Sequence, residues 1–338
     1  MVGRDIIVIG GSAGGLEGVN AIVSMLPAEF PAAIFIVLHT SPHSPGLLPE
    51  IFNHRGLLPA AHAQDGEPVT PGRIYVAPPD LHLLLENGRV RVTRGPKENR
   101  SRPAVDPLFR SAALAYGPRV VGIVLSGWLD DGAAGLWAVK VRGGVAIIQD
   151  PEEAIARSMP EAARRQASVD YCLKVADIAP TLVELASGPA ADEGAFLVPE
   201  DLEIETRIAM EDKALEWGVL DIGEPSPYAC PECHGVLMRL KAGGGLRFRC
   251  HTGHSYTADA LLAEMTELVE ATLWSAIRSV QESSLLMEHI ASHVRETGQS
   301  DLAALYSRKA AEARDRAELV RRAVMGHEKL SGDNLNAD

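Results

Sequence analysis

Ser12 is the first residue whose type and setting could do chemistry. It stands in Gly10-Gly11-Ser12-Ala13-Gly14-Gly15, directly after the apolar run Ile6-Ile7-Val8-Ile9. That run reads as a strand covered on both faces, as in a parallel sheet. Leu16, Val19, Ile22, Val23 and Leu26 follow at helical spacing. A hydroxyl on such a turn lies beside a helix N-terminus, where free backbone N–H groups and the helix dipole favour negative charge. A dinucleotide fingerprint G-x-G-x-x-G would need glycine where Ser12 stands, and an acidic residue about 20 positions on. The second strand ends instead in His39-Thr40. The pattern G-x-S-x-G is met by residues 10–14, with small neighbours leaving the hydroxyl exposed. A structural turn serine is the alternative, so partners must decide.

Two partners are available. His39 ends the apolar run Ala33–Leu38, and Asp131 follows the run Val120–Leu125 within Ser126-Gly127-Trp128-Leu129-Asp130-Asp131-Gly132-Ala133. Serine is a weak nucleophile unless a base takes its proton, and an imidazole base needs a carboxylate to orient it. His39 alone would pass for a loop histidine, and Asp131 alone for a turn or helix-capping aspartate. Asp130 competes with Asp131 for the same role. Three such residues at strand carboxyl ends converge where open α/β sheets build their sites.

The elements that must position them alternate strand and helix. Strands are expected at 73–77, 81–85, 89–93 and 145–149, with Asn87-Gly88 marking a hairpin. Helices are expected at about 106–116, 133–142, 152–158, 160–166 and 178–186. Residues 95–104 read as a polar, basic surface loop. The fold class is therefore α/β, a doubly wound, mostly parallel sheet with helices on both faces, with an antiparallel edge. It is followed by a small zinc-knuckle segment and a helical hairpin. The expected organisation is a catalytic domain at 1–188, a linker at 189–227, a zinc-ribbon-like segment at 228–258, a hairpin at 259–330 and a tail at 331–338.

Together, residues 10–15, Leu38-His39, Arg102-Pro103-Ala104-Val105-Asp106-Pro107-Leu108-Phe109-Arg110-Ser111-Ala112 and 125–133 resemble the catalytic domain of chemotaxis protein-glutamate methylesterases. The resemblance spans about residues 3–188, and the family's serine, histidine and aspartate fall on Ser12, His39 and Asp131. It implies hydrolysis of glutamate γ-methyl esters on chemoreceptor signalling helices through an acyl-enzyme, deamidation of receptor glutamines, and no cofactor for catalysis. Backbone N–H groups of the glycine-rich turn are expected to stabilise the oxyanion. The family usually carries an N-terminal receiver domain; this chain starts at the catalytic strand, so control by the appended segment 228–330 or by a regulator acting in trans is expected. Where the family commonly reads Thr-Gly-Met-Gly, this chain reads Ser126-Gly127-Trp128-Leu129, and where many relatives read His-Arg-Pro-Ser it reads Ser101-Arg102-Pro103-Ala104. The contrasting readings are a catalytically idle adaptor in a sensory complex and a nucleotide-binding protein.

A second constellation is Cys230-Pro231-Glu232-Cys233 followed by Cys250-His251-Thr252-Gly253-His254. Zinc takes four soft or borderline ligands in a tetrahedron, and C-x2-C folds two thiolates around one ion. Cys250 and His254 would complete Cys3His, with His251 the weaker candidate. The expected zinc is structural, and the segment resembles the zinc-ribbon-like appendix found after stand-alone methylesterase domains. A reduced-thiol turn without metal is the alternative. Cys172, near a strand, is expected to be buried.

The formal net charge of −13 disfavours nucleic acid and anionic membrane surfaces as partners. No run is long enough for a membrane span and no signal pattern opens the chain, so a cytoplasmic location is expected. Leu261, Leu262, Met265, Leu268, Val269, Leu273, Ile277, Val280, Leu285, Met287 and Ile290 form an apolar helical stripe, which either docks a partner or packs on the second helix.

Overall fold

A computed structural model of the chain describes residues 3–241 and 243–326. The expected tail at 331–338 lies outside the described residues. Two compact units are present, Met1–Leu261 and Leu262–Asp338.

The first unit opens with β1 (Ile6–Gly11), α1 (Gly15–Met25), β2 (Ala33–Leu38), α2 (Leu48–Arg55), β3 (Ala60–His62) and β4 (Ile74–Val76). After the hairpin β5 (His82–Glu86) and β6 (Arg89–Thr93) come α3 (Val105–Tyr116), β7 (Val120–Val124), α4 (Ala133–Val141), β8 (Val145–Gln149), α5 (Ser158–Gln166), β9 (Tyr171–Leu173) and α6 (Val175–Ser187). Seven strands join in the order β3-β4-β2-β1-β7-β8-β9, every pair parallel. The expected antiparallel edge is not there. The β5–β6 hairpin forms its own two-stranded sheet, held against α3 by the Leu85 N–H donating to Ser111 Oγ at 3.0 Å.

The run Ile6–Ile9 splits its side chains as a doubly covered strand must. Ile6 and Val8 join a core with Phe109, Leu136 and Met159, from α3, α4 and α5. Ile7 and Ile9 join one with Val19, Ile22 and Leu182, from α1 and α6. The chain leaves β1 toward β2 on one side and returns as β7 on the other. The loops after β1 and β7 therefore meet at the point where the strand order reverses, which is where such sheets form crevices.

Two local expectations fail for identifiable reasons. Residues 152–157 are turns rather than helix, because the Ala156 backbone is committed elsewhere. Its N–H donates to Ser126 Oγ at 2.9 Å, and its carbonyl accepts from Gly127 N–H at 2.9 Å. Cys172 is exposed, since β9 is an edge strand and the sheet covers it on one side only.

The stretch 189–227 contains α7 (Glu200–Glu211), which buries Leu202, Glu205, Thr206, Ile208 and Ala209. Beyond it, β10 (Gly223–Ala229), β11 (Val236–Leu240), β12 (Arg247–Cys250) and β13 (Ser255–Thr257) form an antiparallel four-stranded sheet. Strand β12 has two buried faces. Phe248 and Cys250 enter a small core with Leu237 and Tyr256, while Arg247 and Arg249 point the other way into a charged cluster. There Arg249 Nη2 donates to Glu98 at 3.0 Å and to Glu205 at 2.8 Å, Arg247 pairs with Glu205, and Arg110 forks onto both Glu98 oxygens at 2.7 Å. Burial alone would raise Glu98, and the guanidinium groups of Arg110 and Arg249 more than reverse it. Helix α3, the loop carrying Glu98, α7 and the four-stranded sheet are thus bonded through one ionic core.

The second unit comprises most of α8 (Ala258–Glu296) and all of α9 (Ser300–Met325), an antiparallel pair. Its seam shares Ile277 with the bulky stripe but is otherwise built from small residues. Ile277, Ser284 and Ala291 on α8, and Ala303, Ala310, Ala317 and Val324 on α9, are buried at seven-residue spacing, while Leu285 is 61% exposed. Small seam residues let the backbones approach, so that Ser284 Oγ donates across to the Ala310 carbonyl at 2.9 Å.

Candidate active site

Strand register brings the three sequence candidates to one edge. Gly11 pairs with Leu38, so Ser12 and His39 are the next residues on neighbouring strands, and the His39 N–H donates to the Gly11 carbonyl at 3.2 Å. On the other side, the Ser12 N–H donates to the Ser126 carbonyl at 2.9 Å. Gly14 takes φ +78° to turn the chain into α1, a conformation that favours glycine. Gly127 is required by proximity, since a Cβ there would meet Met159 Sδ at 2.0 Å and Ser12 Cβ at 2.8 Å. Ser126 Oγ ties the turn down by donating to the Ala13 carbonyl at 2.6 Å.

His39 and Asp131 are directly bonded, Nε2 to Oδ2, at 2.7 Å. Asp131 is ionised in the fold. Its burial would raise the carboxyl, but the His39 bond and charge, the Val105 N–H and the Asn99 amide hold it below the ordinary range. A carboxylate can only accept, so His39 donates through Nε2, and Nδ1 is the ring nitrogen left to take up a proton. Asp130 takes no part in this bond. It accepts from Thr257 Oγ1 at 2.6 Å, and burial pushes its carboxyl up to about 7.

Four donors orient Asp131. Besides His39, Oδ2 accepts from the Val105 N–H at 2.6 Å, and Oδ1 accepts from the Asp106 N–H at 3.2 Å and from Asn99 Nδ2 at 3.0 Å. The first two backbone donors are the N-terminus of α3, where a carboxylate is favoured. Asp106 in turn accepts from the Gly132 and Gly135 N–H groups at 3.0 and 2.6 Å, at the start of α4. Burial and then the neighbouring Asp131 charge push Asp106 up to about 7.

Sequence reading missed Asn99. Residues 95–104 look like a solvated loop, yet Glu98 and Asn99 are buried. Their partners lie far along the chain, and no local pattern announces them. Leu129, two residues after Gly127, takes φ +62°. The turn is therefore glycine-like, with a residue that is strained there.

The second constellation also comes together. Ligand atoms of Cys230, Cys233, Cys250 and His254 all lie within 4.8 Å of one another. Cys233 and Cys250 sulfurs are 3.6 Å apart, and His254 Nδ1 is 3.5 Å from Cys250 and 3.7 Å from Cys230. These spacings match the edges of a tetrahedron with metal–sulfur bonds of about 2.3 Å. His251 is outside the group; its ring packs where a Gly235 side chain would otherwise be.

A parallel α/β sheet with hydroxyl, imidazole and carboxylate at its switch point is the architecture of a hydrolase domain. The comparisons make that specific: a family model described as CheB methylesterase matches residues 7–182, just over half of the chain. The chain belongs to the CheB methylesterase family. A putative protein-glutamate methylesterase/protein-glutamine glutaminase of Leptospira interrogans is 37% identical over 182 residues, covering 54% of this chain and 94% of that protein. A protein-glutamate methylesterase/protein-glutamine glutaminase of Thermotoga maritima is 36% identical over 188 residues, covering 54% of this chain and 55% of that longer protein. The crystal structure of the Thermotoga maritima CheB methylesterase catalytic domain superposes with a TM-score of 0.52 at 36% identity, over 54% of this chain and 98% of that domain. Among the described residues no helix is long and apolar enough to cross a membrane.

Proposed function

We propose that this protein is a serine hydrolase that removes γ-methyl esters from glutamates on chemoreceptor signalling helices, and that deamidates glutamines there. The observation that carries the reading is the 2.7 Å His39–Asp131 bond beside Ser12 in the next strand register. His39 Nδ1 takes the Ser12 proton as the hydroxyl attacks the ester carbonyl, and Asp131 stabilises the imidazolium. Loss of methanol leaves an acyl-enzyme, which water resolves with His39 as base. The N–H groups of Ser12, Gly15 and Gly127 are committed to the carbonyls of Ser126, Ser12 and Ala156, so the oxyanion falls to the remaining amides of the glycine-rich turn. Methanol release from a methylated receptor, lost in Ser12→Ala, tests this; full activity in that variant would sink it. Covalent labelling of Ser12 by a serine-directed acylating reagent separates the hydrolase from an idle adaptor.

Cys230, Cys233, Cys250 and His254 fit one structural zinc. Bound there, the ion would join the β10–β11 turn to the segment between β12 and β13, with no part in the hydrolysis. Elemental analysis of reduced protein should find about one zinc per chain by ligand count, released on replacing Cys230 and Cys233.

A further inference from the structure

Asp131 has a line of hydrogen bonds that leaves the α/β sheet altogether. Asn99 Nδ2 donates to Asp131 Oδ1 at 3.0 Å and to Asp106 Oδ2 at 2.9 Å, while Asn99 Oδ1 accepts from the Thr257 N–H at 3.0 Å. The amide cannot be turned round. A backbone N–H on one side and two carboxylates on the other admit a single orientation of oxygen and nitrogen. Thr257 is the last residue of β13, 158 positions from Asn99. The backbone of the Asn99 loop is also drawn into the four-stranded sheet. The Asn99 N–H donates to the Ser255 carbonyl at 2.8 Å, and the Ser255 N–H donates to the Lys97 carbonyl at 3.2 Å. Thr257 further holds Asp130 through its hydroxyl and caps α8 by accepting from the Ala260 N–H at 3.1 Å. Asn99 itself sits at φ +47°, a conformation few residues accept.

We propose that Asn99 and Thr257 are positioning residues for the hydrolysis, and that the appended four-stranded sheet thereby fixes the orientation of the Asp131 carboxylate. The proposal rests on the reading of Ser12, His39 and Asp131 as the reacting set. A carboxylate that orients a general base must be held closely, since a misplacement of about 1 Å can cost on the order of 10²-fold in rate. Without Asn99, Asp131 Oδ1 keeps only the longer bond from the Asp106 N–H, and two buried carboxylates lose the donor they share.

The test uses the full chain with Asn99→Gly, which accepts the positive φ and removes the amide together with its methylene. Hydrolysis of p-nitrophenyl acetate should show kcat reduced roughly 10- to 100-fold with KM unchanged. The low-field proton of the His39–Asp131 bond, read by NMR, should move. Thr257→Pro deletes the N–H that holds Asn99 and also the hydroxyl that holds Asp130 and caps α8, so its reference is Thr257→Val, which loses the hydroxyl and keeps the N–H. The loss in kcat that proline adds beyond valine should be small on top of Asn99→Gly, because that part acts through one contact. An unmoved proton with unchanged kcat in Asn99→Gly overturns the proposal, as does a proline-over-valine loss at Thr257 that is undiminished in the Asn99→Gly background. Where Thr257→Pro does not fold, hydrogen exchange of the Thr257 amide decides, and unchanged protection in Asn99→Gly overturns the link. If the unmodified chain hydrolyses no ester, the functional reading fails, while the His39 proton still tests the positioning.

Discussion

Asp131 and Asp106 cap each other's helices. Asp131 accepts from the Val105 and Asp106 N–H groups that open α3, and Asp106 accepts from the Gly132 and Gly135 N–H groups that open α4. The residue proposed to orient the base is therefore also a structural anion. Substituting a catalytic residue often leaves stability unchanged or raises it; here it should fall. Asp131→Ala is expected to lose 10³-fold or more of activity, roughly as triad members do. It should also lose about 1–2 kcal/mol from the stripped helix terminus. Urea unfolding of Asp131→Ala beside Ser12→Ala checks this, and equal midpoints would refute it.

Asp130 gives a dependence on pH with a definite sign. Its folded carboxyl is raised to about 7 from 3.8 by burial, so between those values the folded protein holds a proton that the unfolded chain has released. Stability contributed by that proton is present below about pH 4 and fades as pH rises through 7. Asp131 and Glu98 are lowered instead, so their contributions are already complete above about pH 5. Unfolding midpoints should therefore drop between pH 5 and 8, and Asp130→Asn should flatten part of that drop. Asp106 and Asp201, raised likewise, add to that drop, while His82, which burial lowers, opposes it below about pH 6.5. A midpoint in Asp130→Asn with undiminished slope would contradict the assignment.

The ionic core should behave as an all-or-none feature. Arg249 is fully buried between Glu98 and Glu205. Removing one member of a buried charged set leaves its partners uncompensated, at about 3–5 kcal/mol. Arg249→Ala is expected to destabilise the first unit by that amount, whereas Arg316→Ala, at an exposed pair, should cost under about 1 kcal/mol. Chemical denaturation of both variants distinguishes them.

The hairpin offers a packing test. Ala310 is fully buried at a seam where Ser284 Oγ reaches its carbonyl. Ala310→Leu should force the helices apart and cost about 1–3 kcal/mol. Leu285→Ala, at an exposed site, should be near neutral. Hydrogen exchange across residues 262–325 reads the difference directly.

What could be read from the sequence was whatever local pattern dictates. The places of Ser12, His39 and Asp131 followed from three apolar runs, because a strand buried on both faces has one recognisable composition. The C-x2-C spacing announced the cysteine cluster in the same way. Glu98, Asn99, Arg110, Glu205 and Arg249 were illegible because charge and amide groups look solvated until a distant partner is placed. Glu98 and Arg249 are 151 positions apart. The hairpin seam was hidden for another reason: alanines carry little hydrophobic signal, and the bulky residues drew attention to faces that the hairpin leaves open.

The distance between Asn99 and Thr257 has a meaning in time as well as in space. A ribosome adds about 5–20 residues per second, so the 158 positions separating them take on the order of ten seconds to make. Within the first half of that interval the remaining strands of the parallel sheet, β7 to β9, are made, while Asn99 has no Thr257 to hold it and Glu98 and Arg110 have no Arg249. The emerging polypeptide thus holds every strand of the parallel sheet while its charge network lacks partners. The bonds that finish it are made only when β13 has been synthesised.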